Sequence, residues 1–377
     1  MIVLDTIKKI WDNPVAKKAI MGLGIFILVI LIIILIAACS GGKKYTYEEF
    51  EAKLIYEAQR YYDAHKDRLP SKDKDTTSLS IQTLIDNKQI RDTTEMTKDK
   101  VSCRGSVEIT NNNGYYLYTP MLDCGSNYKS SLLKDELVKD ENIVTSGNGL
   151  YKTSDGYIFK GDMVNNNLIF NDISYRIMGI DNDGVIKIID TTKRESVVWD
   201  DRYNTEKASA MGINDYFTNN LNSRIKDTLE KLYKDDEVFP SEIKAYFVTN
   251  SVCIGKMSVN DTNSNICESK LDNQVFSLLT AKDFYIPSLD PNCESNNKAC
   301  MNYNYLSLIG NSWTVTGDKD STHKVYKISG GDLELKNASS MSSYKIVAYL
   351  DKNVLFSGGD GSEANPYVIK TFVSSKK

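Results

Sequence analysis

An almost unbroken apolar segment runs from Ala19 to Ala38, close to the start of the 377-residue chain. About twenty apolar residues in a helix are enough to cross a hydrocarbon core ~30 Å thick. The residues before it form a basic flank that contains Lys8, Lys9, Lys17 and Lys18. A basic flank is typical of the cytoplasmic side of a membrane helix. The pattern therefore predicts a cytoplasmic segment at 1–18, a membrane anchor at 19–39 and an extracellular C-terminal part.

The end of the apolar segment has a second interpretation. Ile36-Ala37-Ala38-Cys39 resembles the lipobox of bacterial lipoproteins, and in that family the cysteine is lipidated and becomes the new N-terminus. The chain is thus expected at the cell membrane either as a single-pass protein or through a lipid on Cys39. Both alternatives place the residues after Ser40 on the outer face of the membrane.

The number of cysteines agrees with an extracellular location. There are seven, and setting Cys39 aside leaves six, an even number that favours disulfides in an oxidising compartment. Zinc sites need closely spaced cysteine and histidine pairs. The sequence has no such pair and only two histidines, so neither a metal nor another cofactor is predicted.

One disulfide follows from the geometry of a predicted hairpin. Two strand patterns flank Asn113-Gly114, and this dipeptide favours a type I′ turn because both positions need a positive φ. Counting outward from the turn, Cys103 lies opposite Cys124 at a non-hydrogen-bonded site, where Cα atoms are about 4.5 Å apart and within disulfide reach. Four cysteines remain and allow three connectivities. The local choice pairs Cys253 with Cys267 and Cys293 with Cys300.

Two helices are predicted before this hairpin. Thr46 and Glu49 have the spacing of a capping box, and apolar residues then recur at helical spacing as far as His65. A second, shorter helix is predicted over Leu79 to Ile90. Together with the hairpin, these elements predict a small α+β domain at 43–133.

The order of anchor, helix and disulfide-closed β unit resembles a type IV pilin or pseudopilin subunit. The motifs Tyr47-Glu48-Glu49-Phe50, Cys103-Arg104-Gly105-Ser106-Val107 and Leu122-Asp123-Cys124-Gly125 are similar to small ectodomains of Gram-positive surface proteins. The resemblance implies a pilin-like fold for 43–133. Prepilins have a Gly-Phe-x-x-x-Glu processing site, whereas Gly24-Ile25-Phe26 leads here into an uncharged segment without glutamate.

A polar segment that ends in Thr145-Ser146-Gly147-Asn148-Gly149 predicts a linker at 134–149 and a second domain at 150–372. Apolar and β-branched residues predict four strands near its start, at Tyr157–Phe159, Leu168–Phe170, Tyr175–Ile180 and Val185–Ile189. Asp181-Asn182-Asp183-Gly184 separates the last two. We interpret it as a hairpin turn rather than a calcium loop, because the other oxygen ligands of such a loop are missing.

Further motifs of the second domain follow one another in a fixed order. They are Trp199-Asp200-Asp201-Arg202-Tyr203-Asn204, Phe276–Thr280, Asn311–Thr316, Val325–Ile328, Ile346–Leu350 and Ser357–Tyr367. This series resembles a C-type-lectin-like module, in particular the bacterial branch related in fold to formylglycine-generating enzymes. The resemblance implies a loop-rich α+β fold. The chain has Lys345-Ile346-Val347 where the typical module has Arg-Pro.

Aromatic residues beside polar ones form the candidate ligand site. They are Trp199, Asp200, Asp201, Arg202, Tyr203 and Trp313. Aromatic faces next to aspartate and asparagine can stack on, and hydrogen-bond to, a sugar or a peptide. The alternative for both tryptophans is a place in the core, because tryptophan is highly buried on average.

Composition and motifs limit the function classes. The formal net charge is −4, so no large basic surface for nucleic acid is expected. His65 and His323 are not placed by sequence near a nucleophile, and no catalytic constellation is evident, so an enzyme is not predicted. We expect a membrane-anchored surface protein that recognises a glycan or protein ligand without catalysis. The alternatives are a minor pilin-like subunit of a surface or secretion assembly and, further from the pattern, an enzyme.

Overall fold

The computed structural model describes residues 42–202, 211–259, 261, 267 and 269–372. Their buried apolar side chains form two cores. The first core lies between the N-terminal helix and a three-stranded sheet, and the second surrounds a larger sheet. The described residues thus form a mixed α+β structure with many strands and few helices, as the sequence predicts.

The first helix, α1 (Tyr47–Ala64), begins after its cap residue Thr46. The Thr46 hydroxyl accepts a hydrogen bond from the Glu49 amide (3.2 Å), and the Glu49 carboxylate accepts one from the Thr46 amide (2.9 Å). The predicted capping box and helix are therefore confirmed. Phe50, Leu54 and Ala58 lie on one face of α1 and are fully buried in the first core.

The predicted hairpin is also confirmed. Strands β2 (Arg104–Asn112) and β3 (Tyr115–Asp123) pair antiparallel, with Asn112 opposite Tyr115. The turn residues Asn113 and Gly114 have φ values of 54° and 86°, the positive values that the sequence indicates. A disulfide joins Cys103 to Cys124, whose Cα atoms are 4.2 Å apart.

The second predicted helix is wrong at its start. Residues Thr76–Ser80 form strand β1, which pairs with β2 and places Leu79 opposite Val107. The helix α2 (Ile81–Asp86) begins only after Ser80, whose hydroxyl accepts a hydrogen bond from the Thr83 amide. A short helix α3 (Thr93–Met96) follows. Leu79 is buried by sheet pairing, which a helical spacing count does not detect.

The rest of the described chain contains eighteen further strands and four further helices. The strands are β4 (Gly149–Thr153), β5 (Gly156–Lys160), β6 (Asn167–Phe170), β7 (Ile173–Asp181), β8 (Ile186–Asp190), β9 (Val197–Val198), β10 (Phe217–Thr218), β11 (Leu221–Asn222), β12 (Asn250–Cys253), β13 (Lys270–Gln274), β14 (Phe276–Ser277), β15 (Ser312–Gly317), β16 (Lys324–Ser329), β17 (Asp332–Asn337), β18 (Met341–Ser342), β19 (Val347–Leu350), β20 (Phe356–Gly358) and β21 (Tyr367–Ile369). The helices are α4 (Leu133–Leu137), α5 (Arg224–Lys234), α6 (Ser241–Lys244) and α7 (Ala281–Tyr285). Short 3-10 helices lie at Lys66–Arg68, Asp140–Asn142, Pro291–Glu294, Asn297–Met301 and Tyr305–Leu308.

The largest sheet of the described residues has nine strands, in the order β14-β19-β8-β7-β6-β21-β20, with β5 pairing to β7 and β4 to β5. Strand β8 lies between β7 and β19, and both neighbours are antiparallel to it. The four strands predicted between residues 157 and 189 all belong to this sheet and are confirmed. The turn between β7 and β8 is closed by Asp181, whose carboxylate accepts hydrogen bonds from the Asp183 and Val185 amides.

Disulfides also join Cys253 to Cys267 and Cys293 to Cys300, with Cα atoms 5.7 and 4.5 Å apart. These are the same two pairs as in the local connectivity predicted from the sequence. The first lies beside β12 and β13, and the second joins the 3-10 helices Pro291–Glu294 and Asn297–Met301. Both tie together loop-rich parts of the larger unit.

The predicted cytoplasmic flank, membrane anchor and lipidation residue Cys39 lie outside the described residues. Within the described part of the chain, no helix is long and apolar enough to span a bilayer.

The predicted linker at 134–149 contains most of helix α4 and a 3-10 helix. Leu133 and Leu137 of α4 are buried in the second core, and the Leu133 amide donates a hydrogen bond to the Val354 carbonyl. The start of this segment is therefore packed on the larger unit.

A buried charged cluster connects the two units. The Glu51 carboxylate on α1 accepts hydrogen bonds from the Lys370 ammonium (2.9 Å), the Tyr128 hydroxyl (2.8 Å) and the Ser130 hydroxyl (2.5 Å). The Glu51 side chain is fully buried and that of Lys370 is 14% exposed. At the turn end of the β2–β3 hairpin, the Asn112 side chain donates hydrogen bonds to Ala245 and Asp351 of the larger unit.

Replacing Glu51 by glutamine should lower the free energy of unfolding by roughly 3 kcal/mol, because it leaves the buried Lys370 ammonium without a counter-charge. Denaturant unfolding of the oxidised chain measures this loss. The matched control is Glu95→Gln, which breaks the exposed Arg91–Glu95 pair and should leave stability almost unchanged. Equal effects of the two substitutions would contradict the structural role of Glu51.

Candidate functional site

Two adjacent cavities of the larger unit meet at Lys187, Asp283, Ile286 and Tyr349. We call these four residues the junction and the two cavities together the cleft. The first cavity has a volume of about 330 Å³ and is also lined by β12, β13 and residues 255–257. The second has a volume of about 290 Å³ and is also lined by β5, β7 and Tyr305. Concave sites with a few convergent polar groups are where proteins bind ligands, so the cleft is the candidate site.

The sheet positions the lysine of the junction. Lys187 is the second residue of β8, with Tyr349 of β19 and Gly179 of β7 as its cross-strand neighbours. Successive side chains of a strand point to opposite faces. Because Ile186 and Ile188 are fully buried on one face, Lys187 extends its ammonium group from the other, where the two cavities meet.

The start of helix α7 positions the acidic partner. Thr280 and Asp283 form a capping box, in which each side chain accepts a hydrogen bond from the other residue's amide (2.9 and 3.0 Å). The second carboxylate oxygen, Oδ1, lies 2.6 Å from the Lys187 ammonium. One carboxylate thereby caps the helix and pairs with a charge in the sheet.

Both members of this pair are held in their charged forms. Burial lowers the pKa of Lys187, but Asp283 opposes this and the pKa lies above its ordinary value. Burial raises the pKa of Asp283, but Lys187 and the hydrogen bonds to Thr280 outweigh it, and the pKa lies below its ordinary value. Efficient general acid–base catalysis requires a pKa near the working pH. The charged pair is therefore suited to hydrogen bonding and charge recognition.

Lysines outnumber aspartates in the described lining of the first cavity, and two of the four lysines are already paired with aspartates. The charged lining residues are Lys187, Lys256, Lys270, Lys282, Asp261 and Asp283. Lys256 pairs with Asp215 (2.8 Å). Lys270 is exposed and forms no ion pair with any residue that the structure describes. The disulfide Cys253–Cys267 lies in the same wall.

The second cavity is mainly apolar. Its apolar lining includes Ile158, Phe159, Met178, Ile180 and Pro287. Tyr305 belongs to the wall and is fully buried, and its hydroxyl has no hydrogen-bond partner among the described residues. Burial raises the pKa of Tyr305, and the Asp283 carboxylate adds to this effect while Arg176 opposes it. Buried polar groups in proteins are normally paired, so this hydroxyl is an exception beside the cavity.

Three large apolar or aromatic side chains of the segment after Tyr285 are exposed, and Ile286 among them lines both cavities. Ile286 is 37% exposed, Tyr303 59% and Leu308 72%. The Leu289 amide donates to the Tyr303 carbonyl, and this bond holds the segment after α7 beside the one that leads to Tyr305.

The structure places the two predicted tryptophans in the second core. Trp199 and Trp313 are fully buried, and their indole N–H groups donate to the Thr314 carbonyl (2.8 Å) and the Val197 carbonyl (3.0 Å). Neither ring is available to a ligand, which corrects the expectation that they contact one. The alternative of core packing describes both residues.

The charged residues beside Trp199 form ion pairs with other residues of the chain. Asp200 and Arg202 are buried and joined by two hydrogen bonds of 2.8 and 2.6 Å. Asp201 pairs with Arg224 at the start of α5. Tyr203 lies outside the described residues. Of the described residues predicted as ligand contacts, none lines the cleft.

Sequence reasoning missed the junction itself. One local signal was available, because Lys187 interrupts the apolar strand Ile186 to Ile189 and a charge there needs a partner. A second signal was the capping-box spacing of Thr280 and Asp283. Neither signal says that the two residues meet, since they are 96 positions apart in the chain.

Comparisons with protein-family models, curated proteins and solved structures found no match to this chain. The pilin-like and C-type-lectin-like resemblances therefore remain predictions.

The Lys187–Asp283 pair predicts a specific pH dependence of stability. A carboxyl whose folded pKa is lowered stabilises the fold above its unfolded pKa, near 3.8, and this contribution is lost as the pH falls further through the folded pKa. Asp283→Asn should cost roughly 2 kcal/mol at pH 7 and progressively less below about pH 4. Urea unfolding of both proteins between pH 7 and pH 2.5 measures the difference.

The control for this experiment is Asp67→Asn, an exposed carboxyl outside the cleft. Its stability should follow that of the unsubstituted chain at every pH. A constant difference between the unsubstituted chain and Asp283→Asn across the pH range would show that the loss comes from packing, not from the charged pair.

Proposed function

We propose that this chain is a membrane-anchored extracytoplasmic recognition protein that binds a protein ligand in the cleft without catalysis. The observation that carries the proposal is the junction, where a charged lysine and aspartate lie between a polar and an apolar cavity. The apolar segment at 19–38 supports the membrane location. Three disulfides among the described residues support an oxidising compartment.

The state of the junction supports binding over turnover. Both charged groups are already paired with each other and held away from a pKa that suits proton transfer. The Lys187 ammonium has three donors and its side chain is 25% exposed, so it can still donate to a ligand. Paired groups of this kind orient a bound molecule with little change of their own position.

The apolar surfaces favour a protein over a glycan. The second cavity offers mainly apolar walls, and Ile286, which lines both cavities, is 37% exposed. Concave sites with mainly apolar walls are suited to binding apolar groups. Binding of a sugar would require many hydrogen-bonding groups in the walls of the site. An apolar side chain of a protein partner instead stabilises the complex in proportion to the apolar area that binding removes from water.

Selection from a random peptide display library, with a glycan array in parallel, tests this proposal on the purified full chain. We expect selected peptides to bind the chain and to lose at least tenfold in affinity to the variant Ile286→Glu. Ile286 lines both cavities, and a buried carboxylate there would cost a ligand roughly 1.4 kcal/mol or more.

The matched control is Ile169→Glu. Ile169 is 38% exposed, nearly the same as Ile286, and does not line the cleft. Its variant should bind the peptides normally. Three results would contradict recognition of a protein ligand in the cleft. They are equal binding of the peptides to both variants, specific binding to glycans alone, and the absence of any selected peptide.

A further inference from the structure

We infer that the Cys253–Cys267 disulfide is a thiol-exchange site, at which a small thiol from solution becomes joined to Cys267 within the first cavity. The inference goes beyond the proposed function, because it concerns a covalent reaction at the cavity wall and requires no protein ligand. Three observations carry it. They are the exposure of the two cysteines, the lysine opposite Cys253 and the place of the disulfide in the cavity wall.

The three disulfides of the described residues differ in their access to solvent. The cysteines of the Cys103–Cys124 and Cys293–Cys300 bridges are all buried, and none of them is more than 9% exposed. Cys253 and Cys267 are both partly exposed. Exchange begins when a thiolate reaches a disulfide sulfur, so an exposed bridge is labile whereas a buried one resists attack. Solvent access therefore distinguishes Cys253–Cys267 from the other two bridges.

A neighbouring lysine sets the direction of the exchange. Strands β12 and β13 pair antiparallel, with Cys253 opposite Lys270. Side chains directly opposite each other in such a pair share a face of the sheet, with Cβ atoms about 4.5–5.5 Å apart. An ammonium group beside a cysteine stabilises its thiolate, and a more stable thiolate leaves faster. Cys253 is therefore the sulfur that leaves, and Cys267 is the sulfur that is attacked.

The exchange conserves atoms and electrons. The thiolate of the incoming molecule attacks the Cys267 Sγ atom, a new S–S bond forms there, and the bond to Cys253 breaks. The electron pair of the broken bond goes to the Cys253 Sγ atom, which leaves as a thiolate and takes up a proton from water. That proton balances the one that the incoming thiol lost to water when it ionised. The reaction needs no oxidant or reductant besides the thiol itself.

The product of the exchange lies in the first cavity. Cys253 and Cys267 both line this cavity, and the chain between them adds Gly255, Lys256 and Met257 to the same wall. The cavity volume of about 330 Å³ is within the range of sites that hold small molecules. A small thiol joined to Cys267 therefore changes the wall and fills space that is open in the oxidised chain.

The experiment exposes the folded, oxidised full chain to 2-mercaptoethanol and quenches samples at intervals with iodoacetamide. Peptide mass spectrometry measures, for each bridged cysteine, the fraction joined to 2-mercaptoethanol and the fraction alkylated. We expect an adduct on Cys267 and alkylation of Cys253. Both should form at least about tenfold faster than modification of the other two bridges, because a thiolate reaches those only after a local opening of the fold.

Variants of Lys270 test the role of its charge. Lys270→Gln should slow formation of the Cys267 adduct roughly two- to fivefold, because the departing Cys253 thiolate loses a neighbouring positive charge. Lys270→Arg keeps the charge and should keep the rate, which separates an effect of charge from one of side-chain removal. The matched control is Lys66→Gln, an exposed lysine outside the cleft, which should leave the rate unchanged.

The possible results separate this inference from the proposed function. Equal rates at the three bridges, no adduct on the folded chain, or an adduct on Cys253 with alkylation of Cys267 would each overturn the inference. An unchanged rate in Lys270→Gln would overturn the direction that the lysine assigns. A selective adduct on Cys267 would support the inference even if the display library yielded no peptide, so the two proposals fail independently.

Discussion

The arrangement of helix α7 on the large sheet depends on one lysine within that sheet, Lys187 of β8. Lys187 lies between two paired strands, and a charge at such a position is costly unless an opposite charge meets it. Asp283 meets this need at 2.6 Å, and it can do so only where helix α7 begins against the sheet. The pair thereby fixes the helix over the strands. The space left on either side of it is the cleft, with a polar cavity beside β12 and β13 and an apolar one beside β5 and β7.

A second buried pair has a different consequence. Glu51 and Lys370 lie in separate units and near opposite ends of the described chain, and Tyr128 and Ser130 complete the hydrogen bonding of the carboxylate. Buried charges that are fully hydrogen-bonded favour one arrangement over its alternatives, because any displacement leaves a charge unpaired. Helix α1 follows the apolar segment at 19–38 closely in the sequence, and the Glu51–Lys370 contact joins this helix to the larger unit.

Much of the fold was predictable from local patterns, and the site was not. The capping box of α1, the hairpin register and the Cys103–Cys124 bridge each depend on residues within about twenty positions, where turn and cap geometry decide the outcome. Leu79 departed from its helical pattern because its partner Val107 lies in a later strand. The predicted ligand residues Trp199 and Trp313 were placed in the core by the same kind of distant packing.

The sequence by itself determined the apolar segment, the even set of six cysteines that follow Cys39 and the local elements that carry them. These follow from side-chain chemistry and from the short-range geometry of helices, turns and strands. Only the tertiary structure decided that Lys187 and Asp283 meet and that two unlike cavities adjoin there. The physical reason is that the two-residue periodicity of a strand shows which side chains share a face of the sheet. It does not show which strands lie next to each other. Strand β8 pairs with β19, which is distant in the chain, and no local pattern of either strand specifies that pairing.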